Sequence, residues 1–237
     1  MKKTALVIGA TGLIGKALVY ELLKQDAISK VITLTRKPLV LDQTDLADKR
    51  PNDKKLNQQR FENHTIDFSK LAQYSEHFKQ VDMLFSCLGT TKKLAGSINN
   101  QRVVDVDYQY DAAKLAYECG VEEYFLVSSS GASASSISPY LKMKGELEDK
   151  VIALGFKRCV ILRPSLLIGE RADKRPGEFF AGKVMPLLSC VPLLNKYRPI
   201  KGIEVAQKMA QLAIEDINSS AVKSVKYYTL DEVFVTE

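Results

Sequence analysis

Short apolar runs alternate with longer amphipathic stretches along this chain of 237 residues. Continuous apolar runs are typical of strands that are buried in parallel sheets. They predict strands at 4–8, 31–35, 81–86, 124–128, 158–162 and 225–230, with one more strand that ends near residue 66. The amphipathic stretches predict helices, which fall at 13–24, 70–78, 100–119, 139–154, 177–188 and 202–217. The polar stretch 37–60 is ambiguous.

Strands that alternate with helices predict an α/β fold, in which a doubly wound parallel sheet lies between two layers of helices. This three-layer α/β/α arrangement is the Rossmann fold, whose ligands bind at the carboxyl ends of the strands where the strand order reverses. We expect a single nucleotide-binding domain over 1–237, with small substrate-side elements from about 165 to 237. Each motif described below directly follows a predicted strand.

The composition is that of a folded protein, with 46% hydrophobic and 26% charged residues. The formal net charge of +6 could attract nucleic acid or an acidic membrane surface. The lysines are dispersed and lack interleaved aromatic residues, which favours a solvated surface and a site for a phosphorylated cofactor over a nucleic-acid partner. The longest apolar run, 184–194, is broken by prolines and is shorter than the ~20 residues of a membrane span. We therefore expect no membrane partner.

The cysteines and histidines form no metal or redox motif. No CxxC pair is present, which excludes a zinc ribbon and a thioredoxin-like site. His64 and His77 lack metal-ligand spacing, so no metal site is predicted. Glycines interrupt the apolar run at the N-terminus, unlike the core of a signal peptide. Together with the scattered cysteines, this predicts a protein of the reducing cytoplasm; the cysteines are Cys87, Cys119, Cys159 and Cys190.

A glycine motif follows the first predicted strand and opens the first helix. Its residues are Gly9, Ala10, Thr11, Gly12, Leu13, Ile14 and Gly15. In such a motif the first glycine allows a tight turn, the second admits a pyrophosphate, and the third lets helix and sheet pack closely. The helix N-terminus then offers free N–H groups to the phosphates. The context on both sides favours dinucleotide binding over a turn that serves packing alone.

Two cations, Arg36 and Lys37, follow the second strand. A site for NAD usually carries an acidic residue here, which binds the ribose 2′-hydroxyl and would repel a 2′-phosphate. A guanidinium can bind that phosphate through two hydrogen bonds, so we expect NADP(H) as the cofactor. The alternative is that both are ordinary surface charges. Asp67 and Phe68, after the third strand, are weaker candidates to flank the adenine.

Tyr140 and Lys144 are four residues apart in a predicted helix, so they share one face of it. A neighbouring ammonium favours the ionised form of a phenol. Tyr140 could therefore exchange a proton with a substrate oxygen, while Lys144 holds the nicotinamide ribose. The serines 128–130 end the preceding strand, and a hydroxyl there could hydrogen-bond the substrate. A YxxxK pattern alone is common by chance, but its order after a glycine turn and a serine cluster is specific.

These residues resemble those of an atypical short-chain dehydrogenase/reductase, close to the Tat-interacting-protein-like oxidoreductases. The resemblance extends from the glycine motif to about residue 180 and includes Cys87-Leu88-Gly89-Thr90-Thr91, Val106-Asp107-Tyr108, Ser128-Ser129 with Gly131-Ala132, Tyr140-Leu141 with Lys144-Gly145-Glu146, Arg163-Pro164 and Arg175-Pro176-Gly177-Glu178. It implies a Rossmann fold, NADPH binding and Tyr–Lys chemistry.

The resemblance also implies roles for single residues. It implies that Cys87, Leu88 and Gly89 pass along the adenine-side ribose and pyrophosphate. It places the segment 164–167, with Pro164, Leu166 and Leu167, beside the nicotinamide. The catalytic serine of sugar-nucleotide epimerases matches Ser130, whereas Tat-interacting relatives can carry a lysine there, which leaves Ser129 as a substitute.

The sequence thus predicts an NADPH-dependent oxidoreductase that acts on a small-molecule carbonyl or alcohol. An NADPH-binding regulator or redox sensor without turnover is the second hypothesis, and an epimerase-like enzyme for sugar nucleotides is the third. Arg171 and Arg175 could bind substrate, cofactor phosphate or solvent equally well. The long helices at 100–119 and 139–154 make a homodimer possible.

Overall fold

A computed structural model describes residues 2–41, 59–168, 198–215 and 223–234. Its strands are β1 (Lys3–Ile8), β2 (Ile28–Thr35), β3 (Phe61–Thr65), β4 (Met83–Ser86), β5 (Glu123–Val127), β6 (Arg158–Arg163), β7 (Leu167–Ile168), β8 (Ile200–Lys201) and β9 (Ser224–Thr229). Its α-helices are α1 (Leu13–Leu23), α2 (Lys92–Ala95), α3 (Ile98–Arg102), α4 (Tyr108–Glu118), α5 (Pro139–Leu154) and α6 (Gly202–Ile214). Two 3₁₀ helices span Phe68–Phe78 and Leu230–Val233. The predicted helix at 177–188 lies outside the described residues.

Seven strands form one parallel sheet in the order β3-β2-β1-β4-β5-β6-β9, and β7 pairs with β8 apart from it. The order reverses between β1 and β4, which confirms the predicted doubly wound Rossmann fold. A cleft therefore opens above the carboxyl ends of these two strands, where the loops that follow them diverge.

Both faces of the sheet are buried, which explains why its central strands are continuous apolar runs. In β1, Ala5 and Val7 pack into the core beneath α1 and α6. Leu6 and Ile8 point to the opposite face and pack into the core beneath α4 and α5. Because side chains alternate along a strand, a strand between two helical layers has apolar residues at every position.

Helix α5 has the predicted bounds. Pro139 lies in its first turn, and Gly155 ends it in the left-handed conformation with φ of +81°. The predicted helix at 100–119 is instead divided by a π-helical turn, Val103–Asp107, between α3 and α4. Across the described ranges, every helix is too short or too polar to cross a membrane.

Candidate active site

The turn between β1 and α1 packs its backbone so closely that it requires glycine at two positions. Gly9 has φ of +79°, and a Cβ there would lie 2.4 Å from the carbonyl carbon of Cys87. A Cβ on Gly15 would lie 2.2 Å from the Gly9 oxygen. Gly12 caps α1 without a side-chain hydrogen bond to the helix, so the first N–H groups of α1 stay open to an anion. This backbone fits the pyrophosphate of a dinucleotide.

A cavity of about 680 Å³ extends from this turn across the carboxyl ends of the strands. We call it the Tyr140 cavity. The glycine turn and α1 form one wall, and the loop after β4 forms another. Tyr140 and Lys144 line the same space, together with Thr11, Gly12, Leu13, Ile14, Lys16, Ala17, Tyr20, Glu21, Lys24, Cys87, Leu88, Gly89, Thr90, Leu94, Val127, Ser128, Leu167 and Ile203.

Lys144 is held in place by the end of β5. Its side chain is buried, with 4% of the residue exposed, and its Nζ donates a hydrogen bond of 3.0 Å to the Val127 carbonyl. An ammonium has three N–H donors, so two can serve a ligand in the cavity. Burial raises the pKa of the nearby Cys87 thiol to about 12, although the Lys144 charge opposes the shift. Cys87 therefore remains a neutral thiol at neutral pH.

A second cavity, of about 830 Å³, adjoins the first and shares Gly89, Thr90 and Leu94 with it. We call it the Arg36 cavity. The rings of Phe68 and Tyr108 lie against each other in its wall, with centroids 5.8 Å apart. The Ser69 hydroxyl and backbone N–H hold the pKa of the exposed Asp67 carboxyl below its ordinary value. The cavity is lined by Arg36, Ile66, Asp67, Phe68, Gly89, Thr90, Leu94, Ala95, Asn100, Val103, Val104 and Tyr108.

The two cavities bring together most of the residues singled out in the sequence. Gly9 and Gly15 lie beneath the turn and line neither cavity. Five others are also absent from both linings among the described residues: Lys37, Ser129, Ser130, Pro164 and Leu166. Ser128 lines the Tyr140 cavity, whereas the Ser129 hydroxyl donates to the Ser130 carbonyl at 3.4 Å. Arg171 and Arg175 lie outside the described residues.

Sequence reasoning missed a buried carboxylate behind the Tyr140 cavity. Glu148 is 2% exposed and accepts hydrogen bonds from the Ser128 hydroxyl and from the Arg163 guanidinium. Its hydrogen bond raises the pKa of Arg163 above the ordinary value. The available signal was spacing, since Glu148 follows Lys144 by the same four residues that separate Lys144 from Tyr140.

A second buried carboxylate, Asp105, holds the loop that both cavities share. One oxygen accepts from the Thr90 N–H at 2.7 Å, and the other accepts from Gln101 Nε2 at 3.1 Å. Asp105 is fully buried in the π-helical turn. Its proximity to Thr90 depends on the fold, so no local sequence pattern indicated it. Within the described parts of the chain, no cluster of three or more potential metal ligands is present.

Comparison with known proteins identifies the family. The model of the "NAD dependent epimerase/dehydratase family" matches residues 5–203, which is most of the chain. This chain belongs to that family. Rat protein HTATIP2 is 38% identical over 181 residues, which cover 76% of this chain and 69% of the relative. The predicted resemblance to atypical, Tat-interacting-protein-like members is thereby confirmed.

Solved structures show the same fold. The UDP-glucuronic acid 4-epimerase of Bacillus cereus, determined with UDP-glucuronic acid and NAD, has a TM-score of 0.66 at 18% identity and covers 95% of this chain and 77% of its own. The Bordetella bronchiseptica enzyme WbmG, determined with NAD, has a TM-score of 0.64 at 12% identity and covers 97% and 73%. At these identities the likeness concerns the fold alone.

The predicted cytoplasmic location is wrong. Protein FMP52 of Candida glabrata is 34% identical over 242 residues, covering 98% of this chain and 94% of the relative, and it is named as a mitochondrial protein. Similar proteins of Scheffersomyces stipitis and Debaryomyces hansenii carry the same designation. Unpaired cysteines indicate a reducing environment, and this is not a property of the cytoplasm alone.

Proposed function

We propose that this protein is an NADPH-dependent oxidoreductase that reduces a small-molecule carbonyl or oxidises the corresponding alcohol. The observation that carries the proposal is the Tyr140 cavity. It joins an open phosphate-binding turn to a tyrosine and a buried lysine from one face of α5. Family membership supports nicotinamide-dependent chemistry in general, because the family is named for it.

The choice of NADPH rests on the Arg36 cavity. Arg36 lines this cavity together with the Phe68 and Tyr108 rings, which provide flat apolar surfaces for an adenine. The end of β2 carries no carboxylate that would bind a free ribose 2′-hydroxyl, since Thr35 is followed by Arg36 and Lys37. A guanidinium here favours a 2′-phosphate.

The protein's own groups would orient the substrate and move the proton. Bound NADPH would supply the hydride. During reduction the Tyr140 phenol donates its proton to the substrate oxygen, and during oxidation the Tyr140 phenolate accepts the proton of the substrate hydroxyl. Lys144, on the same helix face, lines the cavity and keeps two N–H donors beyond its hydrogen bond to the Val127 carbonyl.

An epimerase-like reaction on a sugar nucleotide is the second candidate, and family membership favours it. Purified protein that retains a sugar nucleotide and interconverts it without net oxidation would establish this candidate. An NADPH-binding regulator without turnover is the third candidate. The presence of Tyr140 and Lys144 in one cavity argues against it, because a regulator needs no group that transfers a proton.

The first test is a titration of the protein with NADPH and with NADH. We expect tighter binding of NADPH, and Arg36→Ala should weaken it by about 2 kcal/mol while leaving NADH binding unchanged. Lys157→Ala is the matched control, because it removes one positive charge from a surface ion pair with Glu122. No binding of either nucleotide would overturn the proposal, and equal losses in both variants would reassign the preference to net charge.

The second test is turnover with a panel of carbonyl compounds. Tyr140→Phe should lower kcat by about 10²–10⁴-fold, because the phenyl ring cannot transfer a proton. Tyr117→Phe is the control. Tyr117 lies in α4, packs against the Phe156 ring and lines neither cavity. NADPH binding with no turnover on any compound would favour the regulator.

A further inference from the structure

Glu148 extends the row of functional side chains on α5. Tyr140, Lys144 and Glu148 are spaced by four residues, so they follow one another along one face of the helix. Glu148 is 2% exposed, and a carboxylate buried to this degree is stable only when it is paired. Its partners are Ser128 and Arg163, which immediately follow β5 and end β6 respectively.

The Glu148 carboxylate therefore joins one helix to the ends of two strands. Arg163 reaches it with two nitrogens, Nε at 3.0 Å and Nη2. The other side of the guanidinium is covered by the Tyr227 ring of β9, whose centroid is 4.6 Å away. Backbone bonds continue the β5–β6 pairing past the strand ends, since the Ser128 N–H donates to Leu162 at 2.8 Å.

Ser128 connects this network to Lys144. It directly follows Val127, whose carbonyl accepts the hydrogen bond from Lys144 Nζ at 3.0 Å. The Val127 carbonyl and the Ser128 N–H belong to the same planar peptide unit. Glu148 fixes the Ser128 side chain and the sheet fixes the Ser128 N–H, so both restrain the residue whose peptide unit carries the Val127 carbonyl.

We propose that Glu148 is a positioning residue for the nicotinamide end of the site. Through Ser128 it restrains the peptide unit of the Val127 carbonyl, and through that carbonyl it holds the Lys144 ammonium where it meets the ribose next to the nicotinamide. This inference rests on the proposed function. Glu148 itself touches neither cofactor nor substrate, because it lies behind the cavity wall.

The same two strands carry a matched ion pair at their other ends. Glu123 begins β5 and accepts a hydrogen bond of 3.1 Å from Arg158, which begins β6. Each residue is 4% exposed. Arg158 also donates to the Leu212 carbonyl at 2.8 Å, and Lys3 donates to Glu123 at 2.8 Å. This pair is as buried as Glu148 but lies at the strand ends remote from both cavities, so it serves as a control for stability.

The test compares Glu148→Gln with Glu123→Gln by the affinities for NADPH and for adenosine 2′,5′-bisphosphate, which lacks the nicotinamide ribose. A glutamine presents an N–H group to donors that need an acceptor, so both variants should have lower thermal stability. Glu148→Gln should weaken NADPH binding about tenfold and leave bisphosphate binding unchanged. Glu123→Gln should leave both affinities unchanged.

Ser128→Ala keeps the Glu148–Arg163 ion pair and removes only the link to β5, so it carries the test if Glu148→Gln does not fold. Ser128→Ala should also weaken the binding of NADPH and leave the binding of the bisphosphate unchanged. If both Glu148 and Ser128 variants change the two affinities in equal proportion, or change neither, Glu148 is a structural residue only and the inference is overturned. A wild-type protein that binds the bisphosphate and not NADPH also contradicts it. Binding of neither nucleotide overturns the proposed function and the inference with it.

Discussion

The two adjoining cavities differ in how their polar groups are held. In the Tyr140 cavity Lys144 is buried and hydrogen-bonded to the backbone, and the glycine turn beside it is packed through contacts between main-chain atoms. In the Arg36 cavity the charged groups, Arg36 and Asp67, are exposed at the ends of β2 and β3. Buried polar groups must keep their partners, whereas exposed groups can be lost to water at little cost. Changes at Lys144 or in the glycine turn should therefore affect stability and function together, and changes at Arg36 or Asp67 should affect binding alone.

Gly9→Ala tests the rigidity of the Tyr140 cavity and should have the largest effect on stability. Its control is Gly120→Ala, because Gly120 also has positive φ, +86°, and has no described neighbour within 4 Å of an added Cβ. A left-handed alanine costs about 1–2 kcal/mol at either position. At Gly9 the methyl group would also overlap the Cys87 carbonyl carbon at 2.4 Å, so the free energy of unfolding should fall by at least about 4 kcal/mol. If urea unfolding gave the same decrease in the free energy of unfolding for Gly9→Ala and Gly120→Ala, the turn would be able to shift and accept the methyl group.

Asp105→Ala tests the wall that the cavities share. It leaves the Thr90 N–H without its acceptor and removes one of the two acceptors of the Gln101 amide, which should lower the free energy of unfolding by about 1–3 kcal/mol. Because Thr90 lines both cavities, NADPH and adenosine 2′,5′-bisphosphate should both bind more weakly. Asp105→Asn should restore most of both properties, since its oxygen can accept from Thr90 while the Gln101 amide turns over. A failure of Asn to restore binding would show that the negative charge itself is needed.

His77 tests the surroundings of the Arg36 cavity through the pH dependence of stability, and this effect should be the smallest of the three. Its ring stacks on His64 with centroids 4.0 Å apart, in the 3₁₀ helix that supplies Phe68 to the Arg36 cavity. Partial burial lowers the pKa of His77, and the neighbouring His64 adds to this shift. The unfolded chain then binds a proton at higher pH than the folded chain, so stability should fall as the pH drops below about 6.5.

His77→Gln should reduce this pH dependence, measured by urea unfolding between about pH 7 and pH 5.5, above the range in which carboxylates titrate. Because the ring is only partly buried, the change should be much smaller than that of Asp105→Ala. An identical pH profile in the variant would assign the dependence to other groups.

Local patterns predicted the parts of the site that lie within one element. Pro139 and Gly155 marked the ends of α5, and the spacing of Tyr140 and Lys144 placed both on one face of it. The glycine motif predicted the turn after β1, because its geometry depends on the backbone of a few consecutive residues. The π-helical turn at Val103–Asp107 was not predicted, and its buried Asp105 accepts a hydrogen bond from Thr90, fifteen residues earlier in the chain.

The sequence by itself determined the fold class, the glycine turn after β1 and the placement of Tyr140 and Lys144 on one helix face, since each depends on periodicity or on residues within one or two turns of a helix. The tertiary structure decided which polar groups are buried together. Ser128, Glu148 and Arg163 belong to three successive elements, and Glu123 and Arg158 begin neighbouring strands. A charged residue in the sequence does not show whether it will face water or a partner, because burial is a property of the packed sheet and helices.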